Sequence, residues 1–348
     1  TVALFLRDVL QKTDRYTPDV ISPAMAAFDP ASSQLTVPST WGRGVEVEAR
    51  SWNGIPYRHV GAQWSEFEFQ RYRPRLPLTQ LCNEYDLVQI VAGTPAWARV
   101  AATVDVPVAL QVATLTDVER NGQNVDLSLL RRLWGAAMTR IVSRMEQGIS
   151  SLVDAIFVEN MWMYDHFRNR AGEDRVHFAP PGIDTNTFHP GVPGSIGDYI
   201  LCVGRLGDTR KNVRLLFEAY ARLRQTLDDP PRLVLAGLSG PTESDWARAE
   251  TLGIREHIEM HEAVAEDELA EMYRDARLFV LSSNEEGLGL VLAEAMASGT
   301  PVVSTDCGGP STLIDDAQTG FLVPTGDEAA LADRMAHVLT HPKRARAL

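Results

Sequence analysis

The chain has 348 residues, room for about two ordinary domains. With 45% apolar, 23% charged and 7% aromatic residues it has a soluble globular balance, which excludes disorder, collagen and coiled coil. No apolar run approaches the ~20 residues of a membrane helix, and a net charge of -13 argues against nucleic acid as a partner.

The first half alternates strands and helices, though not cleanly. Strands are expected at Asp19–Ser22, Tyr57–Val60, Asp86–Val91, Val106–Val112, Ala155–Glu159 and Val176–Ala179. Helices fit Leu4–Gln11, Ser65–Cys82, Thr94–Thr103, Leu127–Gly148 and Met161–Arg170. Pro38–Gly54, rich in Gly, Trp and Ser, reads as a loop or hairpin. The Pro- and Gly-dense stretch that follows reads as a linker. Beyond it the alternation is regular. Strands are expected at Asp198–Val203, Arg232–Ala236, His257–His261, Leu278–Ser282, Pro301–Ser304 and Gly320–Val323. Helices are expected at Lys211–Leu227, Ser244–Leu252, Asp267–Ala276, Leu288–Ser298 and Asp327–Leu339. Buried strands separated by helices imply parallel, doubly wound sheets. The expected α/β architecture is two Rossmann-like domains facing across a cleft, residues 1–180 and 198–348, joined by 181–197.

In such sheets ligands sit beyond the carboxyl ends of strands. The loop after Asp198–Val203 contains Gly204, Arg205, Lys211 and Asn212 just before a helix. Arg offers a fork and Lys a point charge to phosphate oxygens, and helix amides favour anions. A diphosphate site or a solvated basic turn both fit this loop. The loop after Leu278–Ser282 leads into Glu286, Gly287, Leu288, Gly289, Leu290, Val291 and Glu294. The glycines let a ligand approach the backbone, and Glu294 on an apolar helix face needs a partner. Sugar hydroxyls would serve; a helix cap and an internal salt bridge are the structural alternatives. Cys307-Gly308-Gly309 reads as a turn rather than an anion nest, and His261 as exposed or structural. Neither a D-x-D motif nor a His/Asp cluster calls for a metal. The three cysteines, Cys82, Cys202 and Cys307, are scattered, and no secretory signal opens the chain, so a reducing cytoplasm is expected.

Together these residues closely resemble glycosyltransferase family 4, a retaining family with the two-Rossmann GT-B fold. The likeness runs through PPGID (Pro180–Asp184) with Phe188, Gly204-Arg205 and Lys211-Asn212, the E-x7-E segment Glu286–Glu294, Glu294–Gly309 and Thr319–Asp327. It implies a hexosyltransferase that moves a sugar from a nucleoside diphosphate, UDP or GDP, to a glycan, lipid-linked or small-molecule acceptor. No metal cofactor is implied. Arg205 and Lys211 would hold the diphosphate, and Glu286 with the amides of Gly287, Leu288 and Gly289 would address the donor sugar. Leu290 and Val291 would lie near the phosphates and nucleoside, Glu294 at the ribose and Val264 at the base. Three features depart from the pattern. Leu288 replaces a common Phe, Thr312 stands where Glu is frequent, and Ala113–Asp117 lacks the His many members carry. Against the family both ends look truncated, lacking a first strand with its glycine loop and terminal helices. The alternatives are a sugar-nucleotide epimerase or glycan phosphorylase on the same fold, or a non-catalytic scaffold. The acceptor side is divergent. Its Arg71, Arg73 and Arg75 read as a solvated basic face, with an anionic acceptor or peripheral membrane contact as the alternative.

Overall fold

A computed structural model describes residues 2–120, 129–191 and 197–341. The chain divides into two compact units, Thr1–Pro181 and Gly182–Leu348. Among the described residues no helix is long and apolar enough to cross a membrane.

The first unit opens with α1 (Val2–Gln11). Strands β1 (Ile21–Pro23), β2 (Val47–Trp52) and β3 (Ile55–Val60) form a small sheet in the order β1-β3-β2. β2 and β3 are an antiparallel hairpin around Asn53-Gly54, whose φ values are 50° and 77°. Two successive positive φ angles are what a type I′ turn requires, and Asn-Gly supplies them at least cost. The single helix expected over Ser65–Cys82 is broken into α2 (Glu68–Arg71) and α3 (Leu76–Cys82). Pro74 has no N–H to donate and disfavours helix in the residue before it; Arg75 is extended, with φ -147°.

The main sheet of this unit is parallel, in the order β4-β5-β6-β7. It is built from β4 (Val88–Ala92), β5 (Val108–Val112), α4 (Thr116–Glu119), α5 (Leu129–Glu146), β6 (Ala155–Val158), α6 (Met161–Ala171) and β7 (Val176–Phe178). The helix expected at Thr94–Thr103 is a 3-10 helix over Pro95–Ala101, buried through Ala96, Ala98 and Ala101. Small side chains let that tighter coil lie close to the sheet. The expected start of α5 at Leu127 lies outside the described residues. Leu110, Val112, Ile156 and Val158 pack on Met163 and Phe167 of α6 to form the core.

The second unit contains, in order, β8 (Tyr199–Arg205), α7 (Val213–Thr226), β9 (Arg232–Ser239), α8 (Glu243–Thr251), β10 (Ile258–Glu262) and α9 (Glu266–Asp275). β11 (Leu278–Leu281), α10 (Leu290–Ala297), β12 (Val302–Thr305), α11 (Pro310–Leu313), β13 (Phe321–Val323) and α12 (Glu328–Thr340) follow. Among the described residues the strands form one parallel sheet, β10-β9-β8-β11-β12-β13. Counted from β8 this is 3-2-1-4-5-6, the doubly wound Rossmann order. Alternation along each strand feeds two cores. Ile200 and Cys202 face Leu216, Phe217 and Tyr220 of α7 and Leu331 and Met335 of α12. Leu201 and Val203 face Tyr273 of α9 and Leu292 and Ala295 of α10. The stretch 181–197, read as a linker, contributes to this second core through Phe188, whose ring lies 5.9 Å from that of Tyr273. Residues 192–196 lie outside the described residues.

Candidate active site

β8 and β11 are neighbours at the centre of the second sheet. The chain leaves β8 toward one edge and β11 toward the other. Their carboxyl ends therefore bound the crevice where an open parallel sheet binds ligands. The loops after these two strands are the two that the sequence singles out.

The end of β8 is shaped by glycine. Its pairing with β9 is irregular between Val203 and Arg205. A Cβ on Gly237 would lie 1.8 Å from the Gly204 carbonyl oxygen, so only glycine lets the strands meet there. Beyond this point Arg205 is exposed (61%), with its guanidinium 3.7 Å from Asp208.

The two loops close on each other residue by residue. The Asn284 amide donates to the Arg210 carbonyl (2.7 Å), and Ser282 Oγ donates to the Lys211 carbonyl (3.0 Å). Asn212 Nδ2 donates to Asn284 Oδ1 (2.9 Å). Asn212 also caps α7, from a left-handed φ of 44°. On this backbone frame two ion pairs stand side by side. Lys211 Nζ lies 2.6 Å from Glu286 Oε1, and Arg210 Nη1 lies 3.4 Å from Glu285 Oε2. Ser283 Oγ donates to the same Glu286 oxygen (2.6 Å). Glu285 and Glu286 are both buried. Arg210 also grips Asp208 (2.7 Å). Burial alone would push the Asp208 carboxyl up, but hydrogen bonds from Arg210 outweigh it and hold the group below its ordinary value.

Glu286 is fixed through its backbone too. Its amide donates to the Cys307 carbonyl (3.4 Å), and the Gly309 amide donates to its carbonyl (3.0 Å). A Cβ on Gly309 would lie 2.6 Å from Leu288 Cα, so this glycine lets the two loops touch. Leu288 is buried (4% exposed). Gly289, with φ 87°, sits at the N-cap of α10, and Leu290 and Val291 are half-buried in its first turn.

Glu294 faces inward from α10. Tyr273 Oη donates to its Oε2 (2.8 Å), so the partner its apolar setting demands is a tyrosine, not the cation of an internal salt bridge. Burial pushes this carboxyl up; the Tyr273 hydrogen bond lowers it and Glu266 raises it, leaving it at about 7. Val264 is half-buried against the same core. His261 is paired with Glu259 (3.0 Å) at the end of β10. Among the described residues no three His, Cys, Asp or Glu side chains come together as a metal-ligand set.

Sequence reasoning missed Asp208, Arg210, Glu285, Ser283 and Tyr273. The doublets Arg210-Lys211 and Glu285-Glu286 were a usable signal: adjacent like charges in two loops can pair in register. Tyr273 gave none, since it reaches Glu294 only through the packing of α9 on α10. The Arg71, Arg73 and Arg75 row does not form a solvated basic face. Arg75 is buried and donates to the carbonyls of Arg71 and Arg73, and Arg71 donates to those of Ser65 and Met25. The break at Pro74 turns the three side chains apart, and only Arg73 is exposed.

Residues 195–348 match the family described as Glycosyl transferases group 1. A D-inositol 3-phosphate glycosyltransferase from Frankia alni is 33% identical over 223 residues, covering 60% of this chain and 52% of that protein. The chain thus spans about half the length of the curated relatives it matches. Sucrose-phosphate synthase from Thermosynechococcus elongatus superposes with a TM-score of 0.67 at 20% identity, covering 100% of this chain and 86% of that one. An Anabaena protein, HepE, crystallised with UDP-glucose, gives a TM-score of 0.59 at 19% identity, covering 78% and 73%. These two likenesses show the fold.

Proposed function

We propose that this chain, whose second unit belongs to the group 1, family 4-like glycosyltransferases of GT-B fold, transfers a hexosyl residue from a nucleoside-diphosphate sugar to an acceptor hydroxyl. The reading includes retention of configuration and needs no metal. The single observation that carries it is the Lys211–Glu286 pair, 2.6 Å apart at the switch point of a doubly wound sheet. A cation and a carboxylate so placed can address the two halves of such a donor.

Departure of the nucleoside diphosphate builds negative charge on its outer phosphate. Lys211, already oriented by the carboxyl ends of β8 and β11, would stabilise that charge together with Arg205. Exposed and held only at 3.7 Å, Arg205 is free to turn onto a phosphate. Glu286 would accept from hydroxyls of the donor sugar, with the amides of Gly287, Leu288 and Gly289 beside it. The first turn of α10, at Leu290 and Val291, would offer its amides to the phosphates. Glu294 would accept from the ribose hydroxyls, and Val264 would border the base. UDP- and GDP-sugars are the donors this reading favours, with a glycan, lipid-linked or small-molecule acceptor. Where two cations neutralise the diphosphate, a divalent ion becomes dispensable.

The test is thermal unfolding of the chain titrated with UDP, GDP and ADP, with magnesium and with EDTA. A ligand that binds only the folded state raises the midpoint by mass action. The reading expects one nucleotide to do so equally with and without magnesium, and Lys211→Ala to abolish the shift. No shift with any nucleotide, or a shift that needs magnesium, would overturn it.

A further inference from the structure

Helix α5 (Leu129–Glu146) carries an exposed apolar stripe that no function above uses. Leu129 (71%), Leu130 (79%), Leu133 (60%) and Trp134 (54%) are exposed, whereas Met138 and Val142, further along, are its buried residues. At ~100° per residue, positions 129, 130, 133 and 134 fall within a sector of about 140°. Arg140 and Arg144 continue the same sector toward the C-terminus, and Arg131 and Arg132 flank it. All four arginines are exposed. None of them is in an ion pair among the described residues. The acidic residue of the helix, Glu146, turns away to accept from the amide and hydroxyl of Thr116. Asp117 of α4 is likewise engaged, accepting from Ser143 Oγ. In a chain of net charge -13, this helix is a local cationic island with leucines and a tryptophan at one end.

We infer that the exposed face of α5 docks the protein on an anionic lipid bilayer surface. Leu129, Leu130, Leu133 and Trp134 would enter the headgroup boundary, and the arginines would meet lipid phosphates. Charge complementarity selects this occupant. A second copy of the chain would oppose arginine to arginine across the face, and a neutral surface would leave four unpaired guanidinium groups unused. Tryptophan suits the boundary because its ring is apolar and its N–H is polar. The arrangement is that of an interfacial helix, lying on the membrane rather than spanning it. The inference is independent of the site between β8 and β11.

The experiment is co-sedimentation of the whole chain with vesicles of phosphatidylcholine alone and of phosphatidylcholine mixed with phosphatidylglycerol. Binding is expected to the anionic vesicles and not to the neutral ones, and to weaken as salt shortens the screening length. Arg140→Gln with Arg144→Gln should cut partitioning about 25-fold, since each basic residue near such a surface contributes about fivefold. Leu130→Gln with Leu133→Gln should cut it at least tenfold. These side chains stand in solvent, so unchanged thermal unfolding midpoints certify that the variants fold. A blue shift of emission on vesicle addition should shrink in Trp134→Phe. No binding to anionic vesicles by the wild-type chain overturns the inference, as does equal binding by the variants. Concentration-dependent dimerisation abolished by Leu130→Gln with Leu133→Gln also overturns it, by making the face a self-interface.

Discussion

The substitution Glu294→Gln separates the cost of burying this carboxylate from its use. Burial, countered only partly by the Tyr273 hydrogen bond, lifts the carboxyl from 4.5 to about 7. A tenfold change in proton affinity is ~1.4 kcal/mol, so the ionised form costs the fold up to about 3 kcal/mol. The folded state holds the proton more tightly than the unfolded state. The cost is therefore absent below 4.5, grows as pH rises between 4.5 and about 7, and is complete above that. The amide of the Glu294→Gln variant keeps an oxygen for Tyr273 Oη and carries no charge, so its stability lacks this dependence. Relative to wild type, the variant should gain less than about 1 kcal/mol near pH 5 and about 3 kcal/mol near pH 8. Urea denaturation at both pH values measures the difference. The same substitution should weaken nucleotide binding roughly tenfold above pH 7, because a hydroxyl bonds a carboxylate more strongly than an amide. Wild-type affinity should rise with pH through about 7, and the affinity of the variant should stay flat. A variant destabilised by the same amount at both pH values would refute the reasoning, since the carboxylate would then be a net stabilising partner of Tyr273.

Arg210→Ala removes the cation that Glu285 and Asp208 share. We expect it to cost about 2 kcal/mol of stability. By loosening Lys211, it should cut the affinity gained from UMP to UDP about tenfold, with Arg210→Lys restoring part of it; calorimetry with both nucleotides tests this, and unchanged UDP affinity would count against the two-loop clamp. Gly237→Ala places a methyl group 1.8 Å from the Gly204 carbonyl oxygen. It should lower stability by about 3 kcal/mol or more, whereas Gly42→Ala, with open space around it, should change it by less than about 0.5 kcal/mol. Denaturant midpoints compare the two. Burial pushes the thiols of Cys202 and Cys307 up to about 12. Native protein should therefore leave both unmodified by a thiol reagent at neutral pH and release them only on unfolding. Mass spectrometry before and after denaturation reads this directly.

Much of the second unit was legible in the sequence. Each of its six expected strands appears, with its end within three residues of the expected one. The reason is local: short apolar runs bounded by glycine and proline have few other uses. The order of those strands makes the loops after β8 and β11 neighbours, which is why Lys211 and Glu286, far apart in sequence, stand 2.6 Å apart. In the first unit the Ser65–Cys82 pattern was helical by period, yet Pro74 broke it. Spacing alone counted Arg71, Arg73 and Arg75 as one face, and the break sends them to different partners.

In the second unit the sequence by itself determined which segments become strands and helices, and which glycines, cations and carboxylates stand at strand ends. Those features follow from periodicity and backbone preference over a few residues. Only the tertiary structure decided that Glu294 meets Tyr273, that Arg210 holds Asp208 and Glu285, and that the leucines of α5 face solvent. Those outcomes depend on which elements pack together. A buried charge takes whatever partner the neighbouring element presents, and no local period encodes that partner.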